Sequence, residues 1–457
     1  MQIKLNNSVL ASVVVAAVLA FVEFIGMPGL SLTSAQEKTA AILVIAAILW
    51  VSEWVPLFVT SFLILALEIV WLYPQLAIVD PAISTSVFFE AFFSNIILLF
   101  LGGFVLSSLM QKYSLDLHFA QAILSRTKGH ASYTLLGIII VCAFLSMWIS
   151  NTATTAMMLT IVFPLIKRIA EQHSFRIALT LSIPFACNIG GIGTPIGTPP
   201  NAIAMSNLSK AGISLSFFDW MLLCLPFVIL LLLFLWQLLL RLYPAKDIVL
   251  ELDSRPVGDF GIKQWAALAI FFLTALGWLL GGQLGLKTGT VALLPVVVCF
   301  WYGLLDTSDF RKLPWDVLYI ISGGLALGIA LQKSGLGEVV VTVLPANPIA
   351  LFILGAAIAG AMSTVMSNTA TAGLVIPLVM AVDANQGMLT SLVIAVAMSC
   401  SLAMALPVTT PPNAIAFSSG AIKSKDMMLA GGIMTLFGIS VALLLGPSYW
   451  GLIIGNT

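Results

Sequence analysis

Two short runs of hydroxyl and amide residues carry the chemistry of this chain. Ser150-Asn151-Thr152-Ala153-Thr154 returns as Ser367-Asn368-Thr369-Ala370-Thr371. Downstream of the first run comes Thr198-Pro199-Pro200-Asn201-Ala202-Ile203-Ala204. At a similar distance below the second comes Thr410-Pro411-Pro412-Asn413-Ala414-Ile415-Ala416. All four stretches sit in very apolar surroundings. Ser and Asn oxygens, together with backbone carbonyls freed where proline interrupts a helix, can replace the water shell of a cation without adding a formal charge. The first half offers Ser146, Ser150, Asn151 and the carbonyls of the break Gly193-Thr194-Pro195-Ile196-Gly197-Thr198-Pro199. The second offers Ser363, Asn368 and the carbonyls around Thr409. The same amides and hydroxyls can donate to carboxylate oxygens, and the N-termini of broken helices favour an anion. One site of this kind suits two sodium-like ions with an anion between them, the cations offsetting the anion's charge.

The residue types that are missing narrow the chemistry further. Neither hydroxyl-amide run nor either break contains Asp, Glu, Lys, Arg or His, the groups that a proton-coupled carrier usually places in its pathway. Glu23, Glu53, Glu68 and Glu90 lie in or at the ends of apolar spans, have no echo in the other half, and read as interface or scaffold residues. The five cysteines form no CxxC pair and read as buried apolar filling. The three histidines lie near charged loop residues, with no HExxH or Cys/His cluster, so a catalytic zinc is not expected. No Ser-Lys, Ser-His or paired-Asp set suggests an intramembrane hydrolase. Neither an enzyme nor an organic cofactor is expected.

The elements that must position these residues are membrane helices. Apolar residues make up 60% of the 457, and 8% are charged, where a soluble protein carries about a quarter. Net charge is zero and no basic tail exists, so nucleic acid is not an expected partner. Apolar runs suited to crossing a bilayer lie near 8–28, 39–55, 57–73, 87–111, 175–206, 213–242, 264–282, 289–305, 315–332, 388–418 and 427–455. The blocks 131–167 and 346–382 hold the hydroxyl-amide runs near their middle. Their second arms are too short for a full crossing, which favours re-entrant hairpins. The Pro-Pro runs interrupt the spans 175–206 and 388–418.

A third echo, Gly102-Gly103 before Gln111-Lys112, returns as Gly323-Gly324 before Gln332-Lys333. These glycines read as close-packing positions between helices, and Asn201 and Asn413 as ties for freed backbone groups. The order of all the echoes implies a duplicated unit: an extra span in 1–38, repeat one over 39–243, a charged linker over 244–262, and repeat two over 263–457. With the N-terminus inside, this span count leaves only Lys38, Lys210, Lys287 and Lys333 of the 19 Lys and Arg outside, as positive-inside bias requires. It places the C-terminus outside and inserts the second copy upside down. Matching interrupted segments in two inverted halves are the sequence pointer to a transporter's binding site.

At these residues the sequence resembles the divalent anion/sodium symporter family, which includes the INDY-type dicarboxylate carriers. The resemblance covers nearly the whole chain. It implies an all-α polytopic fold of about 11 spans with two re-entrant hairpins, a homodimer, a scaffold domain, and a transport domain that moves like an elevator. It implies one sodium site at Ser146, Ser150, Asn151 and the Gly197 carbonyl. A second would use Ser363, Asn368 and the carbonyls of Met366 and Thr409. Substrate contacts would come from Asn151, Thr152, Thr198, Pro199, Asn368, Thr369, Thr410 and Pro411. At the second break this chain reads Val408-Thr409-Thr410, where relatives often carry a smaller residue before the final Thr. The activity implied is sodium-coupled import of C4-dicarboxylates such as succinate, malate or fumarate across the plasma (inner) membrane. Exchange without net sodium coupling, and tricarboxylate or sulfate transport, occur in the same family and stay open.

Overall fold

The structure, a computed structural model, describes the backbone of all residues except 1, 28–30, 246, 247, 249, 251–259, 344, 346, 383–385 and 455–457. The side chains of 2–6, 341, 343 and 348 are likewise not described. Most of the expected linker 244–262, with Lys246 and Arg255, and the outer limit 346 of the second hairpin block therefore lie outside the described residues.

Among the described residues the chain is helical with no strand. The helices of eight or more residues are α1 Gln2–Phe24, α2 Ser34–Ser52, α3 Leu57–Val79, α4 Asn95–Lys112, α5 Leu115–Leu124, α6 Ala131–Ser146, α7 Asn151–Arg168, α8 Phe175–Gly191, α9 Pro199–Lys210 and α10 Phe217–Leu242. They continue as α11 Ile262–Gly281, α12 Thr288–Trp301, α13 Trp315–Ser334, α14 Leu336–Val343, α15 Pro348–Val365, α16 Asn368–Val379, α17 Gln386–Leu402, α18 Pro411–Ser418 and α19 Ser424–Ile454. Eight of these, namely α1 to α4, α10, α11, α13 and α19, are long and apolar enough to cross a bilayer. The remaining expected crossings fall on the shorter α12 and on the interrupted pairs α8–α9 and α17–α18. The protein is an all-α polytopic membrane protein.

Element boundaries depart from the apolar runs where local chemistry intervenes. The helix expected over 57–73 continues to Val79, because a π turn over Glu68–Leu72 carries the backbone onward. Pro74 follows just after that turn. The run expected from 87 becomes helical in earnest only at Asn95, where the Ser94 hydroxyl accepts from the Ile97 N–H at 3.4 Å. α2 starts earlier than expected because Thr33 and Gln36 form a capping box.

The helices form two bundles. In the outer bundle α4 lies along α12, and α13 along α3. The glycine pairs explain how closely. A Cβ on Gly102 would lie 2.7 Å from the Ala292 Cβ, and one on Gly323 would lie 2.6 Å from the Ser61 Cβ. Small residues at such crossings let helix backbones approach where lipid supplies no hydrophobic drive between them. The inner bundle gathers α6 to α9 and α15 to α18. Here α8 packs on α6 and α7, α17 packs on α15 and α16, α18 lies against α7, and α9 against α16. α10 and α19 flank it, joined where the Trp450 indole donates to the Leu223 carbonyl at 2.9 Å. Helix ends also meet between sequence-distant elements. Lys112 meets Asp309 at 2.6 Å, and Gln36 donates to the Gly335 carbonyl at 3.3 Å.

Candidate substrate and cation site

α7 and α16 start at the two hydroxyl-amide runs. Ser150 caps α7, its hydroxyl accepting from the Ala153 N–H at 3.3 Å, and Ser367 caps α16 in the same way at 3.1 Å. The asparagines that follow are thereby left free of capping duty. In the first half the Ser146 hydroxyl, at the end of α6, faces both Asn151 Oδ1 and the Cys187 carbonyl of α8, the latter at 2.9 Å. In the second half the Ser363 hydroxyl lies 2.7 Å from Asn368 Oδ1 and 2.8 Å from the Cys400 carbonyl of α17. Each half thus brings a hydroxyl, an amide oxygen and a main-chain carbonyl to one point. Ser146 and Ser363 are fully buried.

The breaks complete each cradle. In the first, a Cβ on Gly191 would fall 2.9 Å from the Gly197 carbonyl oxygen and 3.0 Å from Asn151 Oδ1, so only glycine lets these oxygens approach the α8 backbone so closely. The Thr194 hydroxyl donates to the Met147 carbonyl and ties the break to the hairpin loop. In the second, the Thr409 hydroxyl reaches the Leu406 carbonyl at 2.8 Å and the Thr364 carbonyl at 3.4 Å, and Met366 is buried beside it at the end of α15. Uncharged oxygens drawn to one point are the donor type that an alkali cation takes.

The asparagines of the Pro-Pro runs hold backbone. Asn201 Nδ2 donates to the Gly191 and Thr194 carbonyls at 2.9 and 2.8 Å, while Asn413 Nδ2 donates to Met404 and Leu406 at 3.2 and 3.1 Å. Thr198 and Thr410 are the N-caps of α9 and α18 and are buried. Thr410 spends its oxygen on the Asn413 N–H, whereas Thr198 makes no capping bond. Thr152, Thr369 and Pro199 are half-buried, and Pro411 is exposed. The starts of α7, α9, α16 and α18 all belong to the inner bundle, so four positive helix ends collect there.

One residue of this core has no sequence signal. Asn188, one position after Cys187, sends its Nδ2 to Asn413 Oδ1 at 3.2 Å and to the Thr410 hydroxyl at 3.4 Å, linking repeat one to the second break. At the matching place after Cys400 the chain has Ser401, whose hydroxyl instead serves Ala397 at 3.3 Å. Asn201 Oδ1 accordingly stays buried without a partner. Replacing Asn188 with Ala strands Asn413 Oδ1 as well, and should destabilise the protein by about 1–3 kcal/mol. Thermal unfolding of the single and the Asn188→Ala/Asn413→Ala double variant checks this, with less-than-additive losses expected.

Buried polar groups thus collect at the hairpin tips and helix breaks, inside a bundle of membrane helices. The class is a multi-pass membrane transporter and not an enzyme. The citrate transporter profile CitMHS matches residues 47–391. The chain is 31% identical over 435 residues to an uncharacterized transporter of Haemophilus influenzae, covering 90% of this chain and 91% of that one. It is 30% identical over 447 residues to the sodium-dependent dicarboxylate transporter SdcS of Staphylococcus aureus, covering 88% and 84% of the two chains. The crystal structure of the Alcanivorax borkumensis YdaH transporter, whose topology is described as unusual, shares the fold. Its TM-score is 0.56, over 91% of this chain and 98% of that one at 11% identity. The chain belongs to the CitMHS citrate transporter family, in agreement with the symporter resemblance of its motifs.

Proposed function

We propose that this transporter imports C4-dicarboxylates such as succinate, malate or fumarate, each with at least two sodium ions. The observation that carries this reading is the matched pair of charge-free cradles, Ser146/Asn151/Cys187 O and Ser363/Asn368/Cys400 O, among four helix N-termini. Two cations held there would neutralise a dianion bridging Asn151, Thr152, Thr198 and Pro199 with Asn368, Thr369, Thr410 and Pro411, away from bulk water. The name of the SdcS relative supports both the ion and the substrate class.

The motion we assign is a slide of the inner bundle past the outer one, within a homodimer whose N-terminus is cytoplasmic and C-terminus extracytoplasmic. One-sidedness supports it. α13 lies against α16 and α9, whereas the counterpart approach of α4 to α7 and α18 is sparse. Ile196 of the first break is sealed against α4, and Val408 of the second is 79% exposed.

Purified protein in liposomes tests the reading. An inward sodium gradient should accumulate succinate well above potassium controls, and failure to do so ends the symport reading. Uptake that needs internal dicarboxylate marks an exchanger instead. The citrate transporter family favours a second substrate reading, and competition by citrate in the same assay decides it.

A further inference from the structure

A relay of hydrogen bonds crosses from backbone to a residue of the candidate site. The side-chain amide of Asn413 faces two main-chain carbonyls, those of Met404 and Leu406, at 3.2 and 3.1 Å. A carbonyl oxygen accepts and cannot donate, so Nδ2 must lie on that side and Oδ1 on the other. Across from Oδ1, at 3.2 Å, stands the amide of Asn188 in α8. A second oxygen there would repel the first, so Asn188 presents its own Nδ2. The same Nδ2 has a further hydrogen, and it reaches the Thr410 hydroxyl oxygen at 3.4 Å. Both amide orientations therefore follow from two carbonyls that cannot reverse.

Thr410 receives a second bond, from the backbone N–H of Asn413 at 3.3 Å. A threonine hydroxyl has two lone pairs and one hydrogen. With both lone pairs taken, the group can meet anything further only as a donor. Thr410 is buried at the start of α18, and α18 lies against α7, the helix that opens at Asn151. Among the described residues the Thr410 hydroxyl donates to no protein acceptor.

The first break has no such relay. Asn201 Nδ2 holds the Gly191 and Thr194 carbonyls, but its Oδ1 meets no donor. The Asn201 N–H goes to the Thr198 carbonyl at 3.2 Å, where Asn413 serves the Thr410 hydroxyl. Thr198 makes no capping bond, so its hydroxyl can turn to donate or to accept. The residue matching Asn188 is Ser401, which bonds within its own helix.

We propose that Asn188 is a positioning residue, which holds the Thr410 hydroxyl as a fixed hydrogen-bond donor toward one carboxylate of the substrate. The inference rests on the dicarboxylate reading above. A donor oriented before the ligand arrives loses less freedom on binding, and its bond to a charged oxygen is stronger than one between neutral groups. The two ends of the site are then unequal. The Thr410 end takes a group that offers only lone pairs, as a carboxylate does. The Thr198 end also accommodates a hydroxyl or an N–H.

The test is a double-mutant cycle between Asn188 and Thr410 in purified full-length protein, with succinate as the probe. Thr410→Val keeps the shape and removes the hydroxyl. Asn188→Leu keeps the approximate size and removes both donor hydrogens. Half-saturating succinate is measured at saturating sodium, and half-saturating sodium from thermal stabilisation without succinate. Thr410→Val should raise half-saturating succinate about tenfold or more, as expected for one lost bond to a charged oxygen. Asn188→Leu should raise it several-fold in the parent, but by less than about twofold in the Thr410→Val background. Half-saturating sodium in Asn188→Leu should stay within about twofold of the parent, whereas a general loosening of the core would weaken sodium and succinate together. Equal losses in both backgrounds, or parent-like succinate binding by Asn188→Leu, overturn the positioning role. Parent-like succinate binding by Thr410→Val also overturns it, since Thr410 would then not touch the substrate. A parent protein that does not bind succinate in sodium ends the dicarboxylate reading, and the proposal with it. Should Asn188→Leu fail to fold, the cycle is run with Asn188→Ser, whose single donor hydrogen cannot serve Asn413 and Thr410 at once; equal losses in both backgrounds again overturn the proposal.

Discussion

Replacing Asn368 with Ala should abolish the proposed sodium-driven succinate uptake while leaving the purified protein folded. The fold survives because Asn368 does little for it. Ser367, not Asn368, caps α16, and Ser363 keeps its bond to the Cys400 carbonyl at 2.8 Å when its amide acceptor is gone. At the proposed site one side chain supplies both an oxygen to the cation cradle and an N–H to the anion, so transport should be lost. Each contact to a charged ligand is worth about 1.5–3 kcal/mol, so losing two removes on the order of a hundredfold to ten-thousandfold in combined affinity. Asn151→Ala should behave in the same way, since Ser146 retains the Cys187 carbonyl at 2.9 Å. Uptake in liposomes, with size-exclusion profiles as the folding control, provides the measurement. Wild-type uptake in either variant would make the motif structural. Asn368→Asp separates the two roles. An added carboxylate still coordinates a cation but repels a dicarboxylate, so sodium-dependent stabilisation should persist while succinate binding is lost.

Much of this site could be read from the sequence because it is stated twice. A single Ser-Asn-Thr in an apolar helix is compatible with ordinary polar packing between helices, whereas two copies with matching Thr-Pro-Pro-Asn runs point to paired cradles. The glycine echoes likewise announced close crossings, and Gly102 and Gly323 make them. Their partners were not legible: that Gly102 meets α12 and Gly323 meets α3 depends on how two distant helix pairs interlock. Asn188 was silent for a related reason. Its counterpart is Ser401, so duplication gives it no echo, and its partner Asn413 lies in the other half of the chain. The carbonyls of Cys187 and Cys400 are also invisible in a sequence, because any residue would present the same oxygen. Helix limits failed where a cap or a π turn overrode the apolar run, as at Ser94 and Glu68.

The crossing of α8 over α6 gives the second large effect. A Cβ on Gly190 would lie 2.4 Å from both the Cα and the carbonyl oxygen of Ala143. Both are backbone atoms, so no rotamer change can make room, and the first arm of the hairpin must move away from α8. That arm carries Ser146, whose hydroxyl reaches the Cys187 carbonyl just one turn before Gly190. Gly190→Ala therefore overpacks the contact, at a cost at or above the upper end of the usual 1–3 kcal/mol or so, and spreads the first cation cradle. The expected result is a rise of at least about tenfold in half-saturating sodium for Gly190→Ala, since about 1.4 kcal/mol already corresponds to a factor of ten. Gly190→Val should lose folded protein altogether. Gly432 on α19 is the matched control: nothing lies within 4 Å of a Cβ there, so Gly432→Ala should leave sodium dependence unchanged. If Gly190→Ala binds sodium as the parent does, the hairpin arm is free to shift without disturbing Ser146, and the first cradle does not depend on the α6–α8 contact.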